Sequence, residues 1–508
     1  MRKLRNKGAI IVLIMNYLVI SLLYYLQPTS HTTTDIFIAW VIAIPLVGWL
    51  ADVCIGRHKM VCWSLWIMWI TFLLATVSSL TAQLVESYTK TDKYTTLILN
   101  IIAAVASGIF QANIIQFGLD QLQDASTDEI TSFISWCVWT VISGGIIVDY
   151  ALICINKQYL LLAKLLVCFC LSMAVILYFS ADNTLIKEPV TQNPFNLVFQ
   201  VIKYAIKNNK PRFRSAFTYC EDDLPSRIDF GKNKYGGSFT TEQVEDVKTF
   251  LRLLPVIFLG STQVSTIFLV NQINRLIHSH ITDQPMSLCY LSESYTTLTF
   301  YIASGLIPLY EFIIYPVFRK HLSWVKSHHK ILLSVLLQMA SVITFIVLVL
   351  KARHRYLEHS GYNSSIGCIF QEHSLYPGTL SFDSKQMILP NILESLSVVA
   401  LYVGAAEFIC AQTPYFMRGL MFGVAYGCAS LLALIGYGIT QPFRGQSTIR
   451  WGTGMISCEF WYLLLNILFL LITGTLLAIL GKLYTRRKRE DVQPNEHIFA
   501  EQYYAMSN

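Results

Sequence analysis

Four carboxylates interrupt the apolar segments of this sequence, namely Asp149, Glu311, Glu394 and Glu407. An ionisable group inside a membrane is costly, so it tends to face a cavity or a partner, and it commonly carries a proton or binds a cation. We expect Glu407, which lies within its segment, to face a cavity or to pair with a neighbour. Asp149 and Glu394 lie near the predicted ends of their helices, where either can simply reach solvent.

A second group of charges lies in the stretch PLVGWLADVCIGRHKM, residues 45–60. Asp52 ends one apolar run, and Gly56 and three basic residues precede the next. Basic residues gather in cytoplasmic loops, glycines let helix ends approach closely, and an acid can pair with a basic group or with a helix terminus. We interpret this stretch as a short cytoplasmic turn between two membrane helices.

The composition is that of a polytopic membrane protein. The 508 residues are 54% hydrophobic and only 14% charged, and the mean hydropathy is +0.49, whereas soluble domains carry about 25% charged residues. The net charge of +7 lies mostly in segments that we place inside the cell, so topology explains it better than a polyanionic partner does. We therefore expect the lipid bilayer as a partner and no nucleic acid.

No arrangement of residues points to an enzyme or to a bound metal. The 12 cysteines lie mostly in apolar segments and form no close CxxC pair. There is no HExxH motif, no phosphate-binding glycine loop, and no nucleophile and base at informative spacing. The sequence predicts no catalytic residue, no metal and no cofactor.

Twelve apolar segments of about 20 residues, enough to span a bilayer, divide into two sets of six. We predict an all-α integral membrane protein with 12 transmembrane helices in two six-helix bundles. The predicted domains are an N-terminal bundle at 1–180, a cytoplasmic linker at 181–247 with an interfacial helix at 195–206, a C-terminal bundle at 248–482 and a cytoplasmic tail at 483–508.

The basic residues also predict the orientation. Both termini and the linker are rich in lysine and arginine, which places them in the cytoplasm. The loop at 351–386 then falls outside, although its first basic residues run against the rule. This loop holds Asn363 in a glycosylation sequon, and Cys289 and Cys368 in external loops are candidates for a disulfide.

Four stretches together resemble a known family. The spacing of Gly48, Asp52, Gly56 and Arg57 is similar to the loop between helices 2 and 3 of the major facilitator superfamily. The three residues between Asp52 and Gly56 are more similar to one branch of it, the proton-dependent oligopeptide transporter family.

The other stretches match this family in the same order. Residues 106–136 resemble its helix 4 and the turn that follows, including Asp120 and with Asn113 in register. Residues 234–255 resemble its lead into helix 7, where Thr240 and Gln243 have the spacing of a capping box. Residues 405–419 resemble the end of its helix 10.

This resemblance implies a secondary transporter that moves peptides or related small nitrogenous solutes by alternating access, with the proton as a candidate coupling ion. By resemblance, Glu407 binds the amino group of the substrate. The substrate-binding candidates are Glu407, Tyr25, Gln111, Asn113 and Gln263, and the coupling or gating candidates are Asp52, Arg57, Glu407, Glu394, Asp149 and Glu311.

The first helix departs from the family pattern. The family's charged residues there fall on Tyr17, Ile20 and Ser21, and its helix 4 lysine falls on Gln111. Because charge-assisted hydrogen bonds are worth about 1.5–3 kcal/mol each, an anionic terminus should bind poorly. We predict that the usual proton-driven uptake of di- and tripeptides is weakened or absent, and that Glu407 favours a cationic or amine end.

Two questions stay open at this point. A receptor or scaffold that has kept the fold and lost transport is the alternative to a working transporter. The sequence also leaves open whether the protein lies in the plasma membrane or an endolysosomal membrane, and what its oligomeric state is.

Overall fold

The computed structural model describes residues 6–26, 44–84, 90–122, 125–144, 160–189, 193–208, 226–278, 295–317, 327–360, 386, 388–440 and 459–484. These residues form 13 helices and, apart from an isolated bridge between Lys232 and Phe239, no strand pairing. In the N-terminal half the helices are α1 Lys7–Leu26, α2 Ile44–Ile55, α3 Arg57–Leu84, α4 Lys90–Asp120, α5 Thr127–Ser143 and α6 Leu160–Ser180, and α7 Pro194–Lys207 follows.

The C-terminal half holds the other helices of the described chain. They are α8 Thr241–His278, α9 Tyr295–Leu309, α10 Ser327–Ser360, α11 Ile388–Gln412, α12 Arg418–Thr440 and α13 Glu459–Leu483. A π-helical turn, Tyr310–Ile314, continues α9.

Eight of the described helices are long and apolar enough to cross a membrane, and three shorter helical segments are also apolar. Their outer faces leave large apolar side chains uncovered. Phe169 on α6 is 61% exposed and Trp63 on α3 is 54% exposed. Extensive exposed apolar surface of this kind marks contact with another apolar phase. The all-helical, multi-pass membrane class is therefore confirmed, while the number of 12 spans stays a prediction.

Local sequence signals explain where several helices begin. The capping box predicted before α8 is present, since Thr240 N donates to Gln243 Oε1 at 3.1 Å and Gln243 N donates to Thr240 Oγ1 at 3.2 Å. From there α8 runs without a break across the predicted boundary between residues 247 and 248. Ser126 and Glu129 form a second capping box at the start of α5.

One loop prediction was wrong at its start. We placed residues 351–386 in an external loop, but α10 continues through Ser360. The stretch from Lys351 to Ser360 contains no glycine or proline, and most of its residues are compatible with a helix, so the first residue that favours a break is Gly361. The first basic residues of this stretch, which run against the orientation rule, therefore lie on α10 and not in a loop.

The predicted interfacial helix is present as α7, within one residue of the predicted bounds. Val198, Val201 and Ala205 are buried on one face, and Phe199 and Ile206 on the other are 65% and 75% exposed. This two-faced pattern suits a helix at the edge of a bilayer. Its contact with lipid stays a prediction.

Four charged side chains fasten the linker to α8. Lys232 Nζ lies 2.6 Å from Asp229 Oδ1 and 2.5 Å from Glu245 Oε1, and Lys248 Nζ also contacts both carboxylates. Burial alone would raise the pKa of Asp229. Hydrogen bonds from Lys232, Lys248 and Ser226 outweigh burial and hold that pKa well below its usual range.

Replacing Asp229 should loosen this attachment. Asp229→Asn leaves the buried Lys232 and the partly buried Lys248 short of a charge partner, so we expect a loss of about 3 kcal/mol at neutral pH, read as a lower Tm of the purified protein. Because folding lowers the pKa of Asp229, its stabilisation is present above about pH 4, the unfolded value, and is lost as the pH falls towards the folded value.

Asp182→Asn is the matched control, because its ion pair with Lys187 is 40% exposed at Asp182 and 43% at Lys187. Exposed pairs contribute below about 1 kcal/mol. Equal Tm values for the two variants at neutral pH would contradict a structural role for Asp229.

Candidate functional site

The two halves meet along α5 and α9. Trp139 Nε1 donates to Ser304 O at 2.9 Å, and Ser132 Oγ donates to Glu311 Oε2 at 3.2 Å. One turn further, Tyr315 OH donates to Asp128 Oδ1 at 3.1 Å. As these contacts move back along α5, they move forward along α9 by the same number of residues. The two helices are therefore antiparallel and in continuous register.

A second contact joins α2 to the first turns of α12. Glycines allow the backbones to touch: a Cβ atom on Gly48 would lie 2.5 Å from Gly419 O, and one on Gly423 would lie 2.9 Å from Ile44 O. Asp52 Oδ2 accepts a hydrogen bond from Leu420 N at 3.0 Å. A carboxylate at a helix N-terminus satisfies a free N–H group and interacts favourably with the helix dipole.

Asp52 also belongs to a buried ion cluster with Arg57 and Asp120. Arg57 Nε lies 2.9 Å from Asp52 Oδ1, and Arg57 Nη1 lies 2.7 Å from Asp120 Oδ1. The three side chains are at most 6% exposed. Buried charges are tolerated only when they are paired and hydrogen-bonded, so Arg57 holds the two carboxylates of α2 and α4 together while one of them binds α12.

The backbone at the end of α2 positions this cluster. Ala51–Ile55 forms a π-helical turn, and Gly56 follows with φ 92°. A positive φ of this size favours glycine. The turn lets α3 start directly at Arg57, and both outcomes that the sequence allowed for Asp52, a basic partner and a helix terminus, occur together.

The N-terminal half holds a network of neutral polar side chains. Asn16 Nδ2 donates to Thr140 Oγ1 at 2.7 Å, and Gln111 Nε2 donates to Asn16 Oδ1 at 3.0 Å. Gln111 was a predicted substrate contact, and Asn16 and Thr140 were not. For Asn16 and Thr140, the signal available in the sequence was a polar residue within an apolar segment. Asn113, also predicted, is fully buried, and its Nδ2 donates to Ile109 O at 2.8 Å.

In the C-terminal half, Glu407 forms an ion pair. Lys330 Nζ lies 2.8 Å from Glu407 Oε1 and 2.6 Å from Oε2. Lys330, which was not among the predicted site residues, lies in the first turn of α10. Gln263, another predicted substrate contact, is fully buried and accepts a hydrogen bond from Ser334 Oγ at 2.7 Å.

Glu394 does not reach solvent, contrary to the simple expectation for a residue near a helix end. It is fully buried because α9 and α10 cover this part of α11. Thr299 Oγ1 on α9 lies 3.3 Å from Glu394 Oε2 and 3.0 Å from Asn391 Oδ1. Glu394 Oε1 has no hydrogen-bond partner.

The structure thus gathers three of the predicted gating residues at the contacts between halves, which are Asp52, Arg57 and Glu311. Glu407 and Glu394 lie separately within the C-terminal half. Asp149, Asn363, Cys289 and Cys368 lie outside the described residues, as does the side chain of Tyr25. The functional roles of all these residues stay predictions.

One family model matches most of the chain. The family model described as the POT family matches residues 58–444. The chain is 25% identical over 442 residues to Protein NRT1/ PTR FAMILY 5.4 of Arabidopsis thaliana, covering 78% of this chain and 74% of that protein. It is 23% identical over 458 residues to Solute carrier family 15 member 3 of Mus musculus, covering 81% and 76%.

Solved structures show the same fold. A crystal structure of an auto inhibited POT family peptide transporter matches with a TM-score of 0.62 at 14% identity, over 95% of this chain and 98% of that one. A POT family transporter in complex with a thioalcohol conjugated peptide matches at 0.57 and 13% identity, over 94% and 97%. Another, in complex with 5-aminolevulinic acid, matches at 0.56 and 11% identity, again over 94% and 97%.

The contact between α2 and α12 can be tested with one methyl group. A Cβ on Gly419 would lie 2.5 Å from Asp52 Oδ1, so Gly419→Ala must push this carboxylate away from Leu420 N or from Arg57. Inserted atoms in a packed contact cost about 1–3 kcal/mol, and we expect a lower Tm of the purified protein.

Gly438→Ala on the same helix is the control, because its Cβ would meet nothing within 4 Å. If Gly419→Ala and Gly438→Ala melted together with the unsubstituted protein, the close contact at Asp52 would be refuted.

Proposed function

The chain belongs to the POT family, whose members are transporters and not enzymes, and on this premise we propose that it moves peptides or related small nitrogenous solutes across a membrane by alternating access. In this proposal 12 helices form two six-helix bundles of the major facilitator type, with both termini in the cytoplasm. The membrane is the plasma membrane or an endolysosomal one. Nothing in the comparisons supports a receptor or scaffold that has lost transport.

The observation that carries the proposal is the closure of the two halves at one end. Gly56, Asp128 and Leu420 lie at this end, which we call the turn end. There the hydrogen bond from Leu420 N to Asp52 and the bond from Tyr315 to Asp128 each join one half to the other. Alternating access requires one bundle to rock against the other, so both contacts must break for the turn end to open.

These contacts suit a reversible closure. Each bridge between the halves is a small number of hydrogen bonds, while the buried ion pairs of Arg57 stay within the N-terminal half. Opening would therefore leave Arg57 bound to both carboxylates and free only the α12 terminus. A net hydrogen bond to a charged group is worth about 1.5–3 kcal/mol, a size that substrate binding can offset.

The substrate class follows from the charges of the two halves. The network of Asn16, Gln111 and Thr140 offers an anionic group only neutral donors. Glu407 offers a carboxylate that already binds an ammonium group, that of Lys330. The similar structures that hold a peptide conjugate and 5-aminolevulinic acid support small solutes with a nitrogen-containing group. We therefore propose that a substrate amine replaces Lys330 on Glu407.

The proton is the proposed coupling ion. Glu311 accepts a hydrogen bond across the contact between halves, so rocking would change its surroundings directly. Glu407 would change partner with substrate binding, and Glu394 is buried without a counter-charge among the described residues. Asp149 stays a candidate from the sequence alone.

Counterflow in liposomes tests the function. The purified protein is reconstituted with an unlabelled solute inside, and uptake of the same labelled solute is measured for a panel of peptides, amino acids and amines. We expect counterflow for at least one solute with a cationic or amine end, and little for solutes that carry only an anionic end. Absence of counterflow for the entire panel would refute the proposal.

If a substrate amine replaces Lys330 on Glu407, two substitutions should have opposite effects on the KM in this counterflow assay. Glu407→Gln removes the group that binds the amine, so the KM for an amine solute should rise at least tenfold, as expected for the loss of about 1.5–3 kcal/mol. Lys330→Gln removes the competing ammonium group, so the KM should fall. Equal increases of KM in both variants would indicate that the ion pair is only structural.

A further inference from the structure

Glu394 on α11 and Gln338 on α10 face each other inside the C-terminal half. Two hydrogen bonds set the register of these helices: Ser341 Oγ donates to Pro390 O at 3.1 Å, and Ser397 Oγ donates to Ser334 O at 2.9 Å. Gln338 lies between Ser334 and Ser341 at helical spacing, and Glu394 lies in the same way between Pro390 and Ser397. Residues at such spacing share a helix face, so the two side chains lie at one level of the contact.

Both side chains have polar atoms without partners. Gln338 and Glu394 are fully buried. Neither Oε1 nor Nε2 of Gln338 forms a hydrogen bond, and neither does Oε1 of Glu394. Buried polar groups are nearly always paired, and an unpaired one costs about 1–3 kcal/mol. Three such atoms on facing side chains indicate that something is exchanged or bound between them.

The contacts of Thr299 accommodate a neutral Glu394. Its Oγ1 lies 3.0 Å from Asn391 Oδ1 and 3.3 Å from Glu394 Oε2. A hydroxyl group has one hydrogen to donate, so it cannot serve both acceptors. If Glu394 carries a proton on Oε2, the acid donates to Thr299, and Thr299 donates to Asn391. Both short contacts are then hydrogen bonds.

The charged groups on the surrounding helices do not neutralise an ionised Glu394. At 1.5 Å per residue, Lys330 and Lys351 lie about 12 Å and about 20 Å along α10 from the level of Gln338, and Glu311 lies about 18 Å along α9 from Thr299. Lys330 is held by Glu407. Among the described residues of the helices that pack against α11, Tyr301 on α9, Cys137 on α5 and Arg252 on α8 form no hydrogen bond or ion pair with Glu394. An ionised carboxylate in these surroundings would be buried without compensation.

We propose that Glu394, Gln338, Thr299 and Asn391 form a proton-binding site within the C-terminal half, with the proton on Glu394 when the turn end is closed. The proton comes from water on the side to which the transporter is open and returns to water when the carboxylate is released. In the neutral form Glu394 Oε1 is still an acceptor, and Gln338 Nε2 on the facing helix is the donor that we assign to it. Ser395 Oγ, which donates to Thr299 O at 2.8 Å, keeps α9 against the site.

A role of this site in coupling rests on the proposed function, whereas the protonation of Glu394 does not. Infrared spectroscopy of the purified protein tests protonation directly. At neutral pH we expect the carbonyl band of a neutral carboxylic acid, and we expect Glu394→Gln to abolish it. Glu242→Gln, which changes an exposed carboxylate on α8, should leave the band unchanged.

Thr299→Val provides a second measurement that keeps the carboxyl group. Losing the acceptor at Thr299 should shift the band and leave its intensity, so the result stands even if Glu394→Gln fails to fold. An unsubstituted protein without such a band at neutral pH, or a band that Thr299→Val does not shift, would overturn the site.

Transport in liposomes then tests coupling. With an inward proton gradient, accumulation of a solute identified by counterflow should rise for the unsubstituted protein and for Glu242→Gln. Glu394→Gln should accumulate no more with the gradient than without it. Gradient-driven accumulation equal to that of the unsubstituted protein would refute the coupling role. If no solute is transported at all, the proposed function fails while the infrared result stands.

Discussion

The burial of Asp52, Arg57 and Asp120 is the constraint on which the closed end of this molecule depends. Two carboxylates and one guanidinium group can be buried only if every charge has a partner, and Arg57 contacts both carboxylates. A further contact comes from the backbone of the opposite half, since Asp52 also binds Leu420 N. A side-chain cluster of α2, α3 and α4 is thereby tied to the start of α12. The glycines on both sides are needed because any larger residue would separate the backbones.

The two halves treat polar groups differently. In the N-terminal half, Asn16, Gln111 and Thr140 form hydrogen bonds with one another. The C-terminal half holds two acids in distinct settings: Glu407 is paired with Lys330, and Glu394 is buried against hydroxyl and amide groups. The described polar groups thus meet neutral hydrogen-bond partners in the N-terminal network, and an ion pair or a hydroxyl contact in the C-terminal half.

Several residues were found from the sequence for a physical reason. A charged or amide side chain within an apolar segment is conspicuous because its burial must be compensated, and this criterion singled out Glu311, Glu394 and Glu407. The same criterion could have found Gln338 and Asn16, which are equally polar and equally buried. Lys330 was missed because a lysine near the end of an apolar segment is ordinarily a topology signal, and only the observed packing of α10 showed that it lies beside Glu407.

The sequence by itself determined the membrane class, the short helix in the linker, the capping box before α8 and the family. These follow from the length and polarity of local segments, which the bilayer and the helix impose on the chain without regard to distant residues. Only the tertiary structure decided which distant residue each polar group contacts. Asp52 meets Leu420, Ser132 meets Glu311, and Thr299 meets Glu394 across long stretches of chain. Partners so far apart in sequence are set by the packing and register of whole helices, and no local pattern records that register.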